Sequence, residues 1–411
     1  MSMQSQPAVS RPLLSRHSRS LGTGLLHRLV PELQCGRLVI DTPAGECLAI
    51  EGRQPGPQAR LTIHSWKCLW RLLAGEDIGF AESYIAGEWS SPVLGKLLDL
   101  AARNSIAAEA PMRWLRTPPQ LHLKLRHALN RNTKRGSRRN IAAHYDLGNE
   151  FYARWLDTGM SYSAALFSSP EQTLEEAQDA KLDYVFDLLE MSGGERVLEI
   201  GCGWGSLAER IIKRFGCNLT GLTLSARQLE VARARLRKLD LLEHSDLRLQ
   251  DYRDVRGMYD RIVSIEMLEA VGTAYWSTYF EQLRANLRPG GIAVLQVITI
   301  DEKRFGDYQR RPDFIQKYIF PGGMLPTTEI IAHEIAAAGL QLVTREFFGD
   351  SYARTLQEWL RRFQQAWPAI KAMGFDNRFK RSWEYYLAYC QAGFEAEIIN
   401  VAFYKIKRAA G

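Results

Sequence analysis

Between residues 141 and 411, short apolar runs alternate with stretches whose apolar positions recur every three to four residues, which predicts strands alternating with helices. Thr173 with Glu176 offers a capping box, Leu174, Ala177, Tyr184 and Leu188 form a helical stripe, and Gly193-Gly194 ends it. "RVLEIGCGWGSLAERIIKRFG" (196–216) then reads as an apolar strand, a glycine turn and a helix. Further strands are predicted at "NLTGLTL", "YDRIVSIEM", "GGIAVLQVITI", "LQLVTREFF" and "AEIINVAFYKI". This alternation predicts an α/β domain built on a doubly wound parallel sheet over 141–411. Upstream the pattern differs. Residues 1–20 read as disordered, while "RLVID", "ARLTIH" and the periodic "PVLGKLLDLAAR" predict a smaller α+β domain over 21–115. Residues 116–140, with Pro118, Pro119 and Gly136, read as a basic linker.

Composition narrows the class. A chain of 411 residues, 46% hydrophobic, has room for two domains with cores of their own. Cys35, Cys47, Cys68, Cys202, Cys217 and Cys390 are scattered with no CxxC and no zinc spacing, so a reducing, cytoplasmic compartment and no structural metal are expected. The N-terminus lacks a signal-peptide pattern and no apolar window reaches the length of a membrane span, so any membrane contact is expected to be peripheral, at the inner face. The net charge of +7 is concentrated before residue 141, with 20 Lys/Arg against 10 Asp/Glu. Its densest part, 116–140, holds no acid and fits either a solvated linker or contact with an anionic phospholipid surface. No nucleic-acid module accompanies it.

The turn "EIGCGWG" sets Gly201, Gly203 and Gly205 at the carboxyl end of a strand, where open α/β sheets bind ligands. A dinucleotide fold wants GxGxxG and a downstream acid, but Ser206 takes the third glycine's place and the next strand runs into "GLTLSARQ"; the P-loop lysine is missing too. "HYDLGNEFY", "MSYSAALF", "VLEIGCGWG", "GLTLSARQ", "QDYRD", "KYIFPGGMLP" and "YYLAYCQAGF", in that order, resemble the cyclopropane-fatty-acyl-phospholipid synthase (mycolic acid cyclopropane synthase-like) family. The resemblance implies a Rossmann-like class I methyltransferase fold, S-adenosylmethionine as cofactor, and a small N-terminal domain that binds lipid or forms a homodimer. It implies that Tyr162 and Ser163 lie over the cofactor. Glu199, Gly201, Cys202, Gly203 and Gly205 would surround its methionine part, Thr223, Leu224 and Gln228 its ribose, and Asp251, Tyr252 and Arg253 its adenine.

The implied reaction is attack of a cis double bond of a phospholipid acyl chain on the sulfonium methyl, followed by loss of a proton to a base. In the family that base is a bicarbonate held by a Cys, a Glu, a His and a Tyr. Here the Glu matches Glu269 and the Tyr matches Tyr352, but the Cys is Ala164, the His is Ala270, a further His is Gln296, and a small residue has become Glu266. The expectation is that the bicarbonate cage is dismantled and that Glu266 serves as base, with Glu269 in a coupled pair and Gln296 orienting the active oxygen. Solvated or structural roles for these residues stay open. Cys390 matches a cysteine described as catalytic in the family; the chemistry needs no covalent enzyme intermediate, so it is expected to line the acyl tunnel. His144 is expected to orient the active-site lid or to serve structurally. Depending on which proton leaves, the product is a cyclopropane or a methyl- or methylene-branched chain. Small-molecule N-methylation and an inactive lipid-binding protein are the alternatives.

Overall fold

The computed structural model describes residues 24, 26, 32–107, 132–145 and 147–410; the stretch read as disordered and most of the basic linker lie outside them. The described N-terminal part is a four-stranded sheet of order β2-β1-β3-β4, made of β1 (Cys35–Asp41), β2 (Cys47–Glu51), β3 (Gln54–Ile63) and β4 (Trp89–Ser90). Helices α1 (Lys67–Ile85) and α2 (Leu94–Ala107) accompany it. Alternate residues Leu38 and Ile40 of β1, and Leu61 and Ile63 of β3, turn inward and share one core with these helices, as a half-buried strand requires. Helix α3 (Lys134–Tyr145) starts inside the stretch read as linker. There Arg253 donates to Asn132 O at 3.0 Å and reaches Ser137 Oγ at 3.5 Å, which ties the start of this helix to the next sheet.

That sheet has seven strands in the order β10-β11-β9-β8-β5-β6-β7. They are β5 (Arg196–Ile200), β6 (Asn218–Thr223), β7 (Ser245–Leu249), β8 (Tyr259–Ile265), β9 (Leu287–Ile300), β10 (Gln341–Phe347) and β11 (Ile399–Lys407). β5 to β9 are parallel, whereas β11 runs antiparallel to β9 and to β10, so the sheet is mixed rather than parallel throughout. β7, "SDLRL", was not anticipated because its charges break up the apolar run. Helices α5 (Leu174–Leu189), α6 (Ser206–Phe215) and α7 (Ala226–Lys238) pack on one face, with α4 (Asn149–Ala153) preceding them. Helices α8 (Trp276–Asn286) and α10 (Thr328–Ala337) cover the other, and α9 (Glu302–Arg310) lies between them in sequence. Along β5, Val197 faces the first helix layer while Leu198 and Ile200 face the second. The reversal of strand order between β5 and β8 opens the crevice where such sheets bind ligands.

Helices α11 (Gly349–Ala372) and α12 (Asn377–Glu395) bridge the two sheets. Trp155, Trp359, Phe363 and Trp383 are almost fully buried in the core they share with α1, α2 and β1, each side chain contributing on the order of 2 kcal/mol by burial. Polar ties cross the same boundary: Arg381 Nη2 donates to Trp89 O at 2.7 Å and Arg103 Nη2 to Glu395 O at 2.6 Å.

Candidate active site

The glycine turn after β5 opens the site. Gly201 sits at φ +92, and a Cβ there would come within 2.5 Å of Met267 Cγ, so only glycine lets this turn pass the turn that follows β8. Gly205 serves a different end. It begins α6 in the left-handed conformation with α7 pressed against it, Ala232 Cβ lying 3.0 Å from where a Cβ would be.

Above the turn lies a chamber of about 2050 Å³. Small-molecule sites occupy roughly 300 to 1,000 Å³, so it has room for more than a cofactor. Its wall at the sheet includes Tyr162, Ser163, Glu199, Gly201, Cys202, Gly203, Thr223, Leu224, Gln228 and Tyr252. Three residues assigned to the cofactor are not on that wall: Gly205, Asp251 and Arg253. The last two satisfy each other, Arg253 donating to both oxygens of the buried Asp251 at 2.8 and 2.7 Å; Gln250 and Tyr252 face the chamber instead. Thr223 Oγ1 donates to Gln228 Oε1 at 2.9 Å, and Ser225 caps α7. The side chain of His144 lies outside the described residues.

Two buried groups on the wall lack partners among the described residues. Glu199 Oε2 and the Tyr252 hydroxyl make no hydrogen bond, and burial pushes the Glu199 carboxyl up to about 8. An acidic group awaiting a cation, a hydroxyl and a bare glycine turn suit S-adenosylmethionine, whose ammonium and sulfonium carry positive charge without phosphate. Glu199 would hold the methionine end and Tyr252 the adenosine end.

The strand end that carries the two glutamates forms the adjoining wall, since β8 pairs with β5 and both Glu266 and Glu269 line the chamber. Glu266 stands just past β8 at φ 49, a region L-residues seldom occupy. Its backbone N–H donates to Gln296 O at 2.8 Å. Its carboxylate collects three donors: the Ala164 N–H at 2.8 Å and Gln296 Nε2 at 2.7 Å on Oε1, and the Tyr352 hydroxyl at 2.7 Å on Oε2. Among the described residues Glu269 accepts a single bond, from the Ile298 N–H at 2.6 Å, and its other oxygen has no partner. Burial raises both carboxyls; that of Glu269 is pushed up to about 8 by burial first and by the charge of Glu266 second. With three donors against one, the pair's negative charge rests on Glu266 and its proton on Glu269. Gln296 stands behind Glu266 rather than on the chamber wall; Tyr352 and Cys390 are on the wall, and burial raises the Cys390 thiol well above its ordinary value, leaving it un-ionised.

Sequence reasoning missed the residues that hold the segment before α5 over the site. Gln178 Nε2 donates to Ser163 O and Lys181 Nζ to Ser163 Oγ, each at 2.9 Å, while Asp157 accepts from the Gly159 and Ser161 N–H groups at 2.8 Å. A signal was there. The buried stripe of α5 runs through Gln178 and Lys181, and a polar pair on an apolar face marks a site. The expected stripe residue Tyr184 is only half-buried and donates to Glu346.

A glycine turn at the switch point of this sheet, orphaned acceptors beside it and an apolar chamber beyond it define a class I methyltransferase. Residues 132–404 match the family described as mycolic acid cyclopropane synthetase, and the chain belongs to that family. It is 38% identical over 406 residues to the tuberculostearic acid methyltransferase UfaA1 of Mycobacterium tuberculosis, covering 96% of this chain and 92% of that protein. It is 35% identical over 374 residues to the cyclopropane-fatty-acyl-phospholipid synthase of Escherichia coli K12, covering 90% and 93%. Its fold matches the crystal structure of mycolic acid cyclopropane synthase CmaA1 complexed with SAH and CTAB at a TM-score of 0.62 and 28% identity, over 66% of this chain and 98% of that one. The protein is therefore an S-adenosylmethionine-dependent methyltransferase that modifies lipid acyl chains, by ring formation or methyl branching.

Proposed function

We propose that the enzyme alkylates a cis double bond in an acyl chain of a phospholipid and that Glu266 is the base which removes the proton. One observation carries this reading: the Glu266 carboxylate gathers the Tyr352 hydroxyl, the Gln296 amide and the Ala164 N–H onto itself inside the chamber. Bicarbonate does not fit here. Ala164 and Ala270 offer it no side-chain donor, and the hydroxyl of Tyr352 is spent on Glu266.

Bound S-adenosylmethionine supplies the electrophilic methyl. Transfer of that methyl to the π electrons of the alkene would leave the positive charge on the neighbouring chain carbon. Tyr162, Phe320 and Tyr386 line the chamber near Tyr352, and aromatic faces stabilise such a cation by about 0.5 to 2 kcal/mol each. Glu266 accepts the departing proton, and the electrons of that C–H bond close a ring or form a new double bond. Desolvation strengthens the carboxylate as an acceptor, because its charged form is disfavoured in the buried site.

The far part of the chamber supports a hydrocarbon substrate. It is lined by Leu38, Ile40, Leu61, Ile63 and Leu97 of the N-terminal sheet and its helices, a greasy extension that a small amine would not need. No helix among the described residues is long and apolar enough to cross a membrane, so the reading includes peripheral contact with a bilayer that delivers the lipid. The test is incubation of the purified enzyme with vesicles of unsaturated phospholipid and methyl-labelled S-adenosylmethionine. Label is expected in the acyl chains; label found only in headgroup amines or in water-soluble products would defeat the proposal.

A further inference from the structure

Lys181 is the one lysine or arginine that is fully buried among the described residues. It sits on α5 and lines the chamber, and its one hydrogen bond among the described residues goes to the Ser163 hydroxyl at 2.9 Å. No carboxylate lies within ion-pairing distance of it among the described residues. Burying an ammonium with so little compensation costs several kcal/mol, and a methionine would fill the same space without that cost. A charge kept under such terms has work to do on a neighbour. Its favourable long-range partners are Asp157, below the same segment, and Glu266, across it.

We infer that Lys181 is a positioning residue for the proton-removal step: its ammonium, fixed behind Ser163, keeps the Glu266 carboxylate ionised and ready to accept the proton. This rests on the reading of Glu266 as base. Two links connect the residues. Ser163 is held by Lys181 at its hydroxyl and by Gln178 at its carbonyl, so the next residue, Ala164, presents its N–H to Glu266 Oε1. The second link is the charge itself. The groups facing Glu266 are Lys181 from α5, Tyr352 from α11, the neutral Gln296 from β9 and Glu269 from its own turn; Cys390 of α12 stands behind Tyr352, and Asp157, with Glu175 near it, faces Lys181. Lys181 is the only cation in this set, and it opposes both desolvation and the second carboxyl. Burial draws its own value down to about 8, so it remains charged at neutral pH and below.

The test is the pH dependence of the single-turnover rate at which the deprotonated product forms, at saturating cofactor and lipid, with cofactor affinity measured alongside to certify the fold. In Lys181→Met the acid limb of the profile is expected to move to higher pH by about one pH unit, the low end of what loss of an opposite charge produces. Lys181→Gln, which keeps a donor for Ser163 but no charge, should shift the limb likewise and covers the case in which the methionine variant does not fold. Lys181→Arg should keep the limb where the wild type has it. Wild-type limb positions in the Met or Gln variant with normal cofactor affinity would overturn the inference even if Glu266→Gln is inactive. Were Glu266→Gln to retain the wild-type profile, the base assignment itself would fall, and the role of Lys181 with it.

Discussion

Glu266 adopts a backbone conformation that costs about 1 to 3 kcal/mol for a residue with a side chain, and four hydrogen bonds, one from its own N–H and three to its carboxylate, hold it there. Tyr352→Phe removes one of those donors. The carboxyl should then rise further, moving the acid limb of turnover to higher pH and lowering the rate about tenfold at neutral pH, while cofactor affinity stays unchanged; an unmoved limb would show that the hydroxyl does not serve Glu266. Glu199 makes a second prediction at this scale. Its ligand-free carboxyl stands at about 8 against an ordinary 4.5. The raised value means that its share of stability is full below about 4.5 and is lost as pH rises through about 8. A cationic cofactor reverses that preference, so binding near pH 7 should release a proton, measurable as a dependence of calorimetric binding heat on buffer ionisation heat. Glu199→Gln should abolish that dependence, and equal heats in all buffers for the wild type would contradict the assignment. The glutamate pair and Gln296 were legible from spacing and resemblance. Lys181 was hidden because a lone lysine in a helix reads as surface until its neighbours at 174, 177 and 178 are seen to be buried.

At the level of elements, two turns, after β5 and after β8, meet at Gly201 and Met267, so the glycine turn and the turn that carries Glu266 are mechanically joined. Gly201→Ala forces a Cβ to within 2.5 Å of Met267 Cγ in a strained conformation, and should cost about 1 to 3 kcal/mol of stability. A lower melting temperature is expected together with weakened cofactor binding, and a variant that melts and binds like the wild type would refute the coupling. The strands of the large sheet were readable wherever the apolar run was continuous, as in "RVLEI" and "GGIAVLQVITI". Their direction was not: β10 and β11 pair antiparallel, and nothing within either strand encodes that. The five-residue π-type turn Ile315–Ile319, which puts Ile315, Gln316 and the following Phe320 on the chamber wall, likewise left no periodic trace.

At the scale of the molecule, the chamber runs from the glycine turn into the core of the N-terminal sheet, so each unit supplies part of one binding space. Composition could announce two units but not a shared cavity, which arises only when α11 and α12 bring them together. Ile40, fully buried on the chamber wall, sits at the distal end. Ile40→Trp should shorten the space for hydrocarbon, raising KM for long acyl chains more than for short ones while leaving cofactor affinity intact; an unchanged chain-length preference in the folded variant would place the acyl chain elsewhere.

The most direct test of the account is turnover on unsaturated phospholipid vesicles in buffer stripped of carbon dioxide and in buffer supplemented with bicarbonate, for the wild type and Glu266→Gln. The account predicts equal wild-type rates in both buffers. It also predicts a loss of about 100-fold or more in the variant that bicarbonate does not restore. A wild-type rate that collapses without bicarbonate, or a variant rescued by it, would contradict the claim that the protein carries its own base.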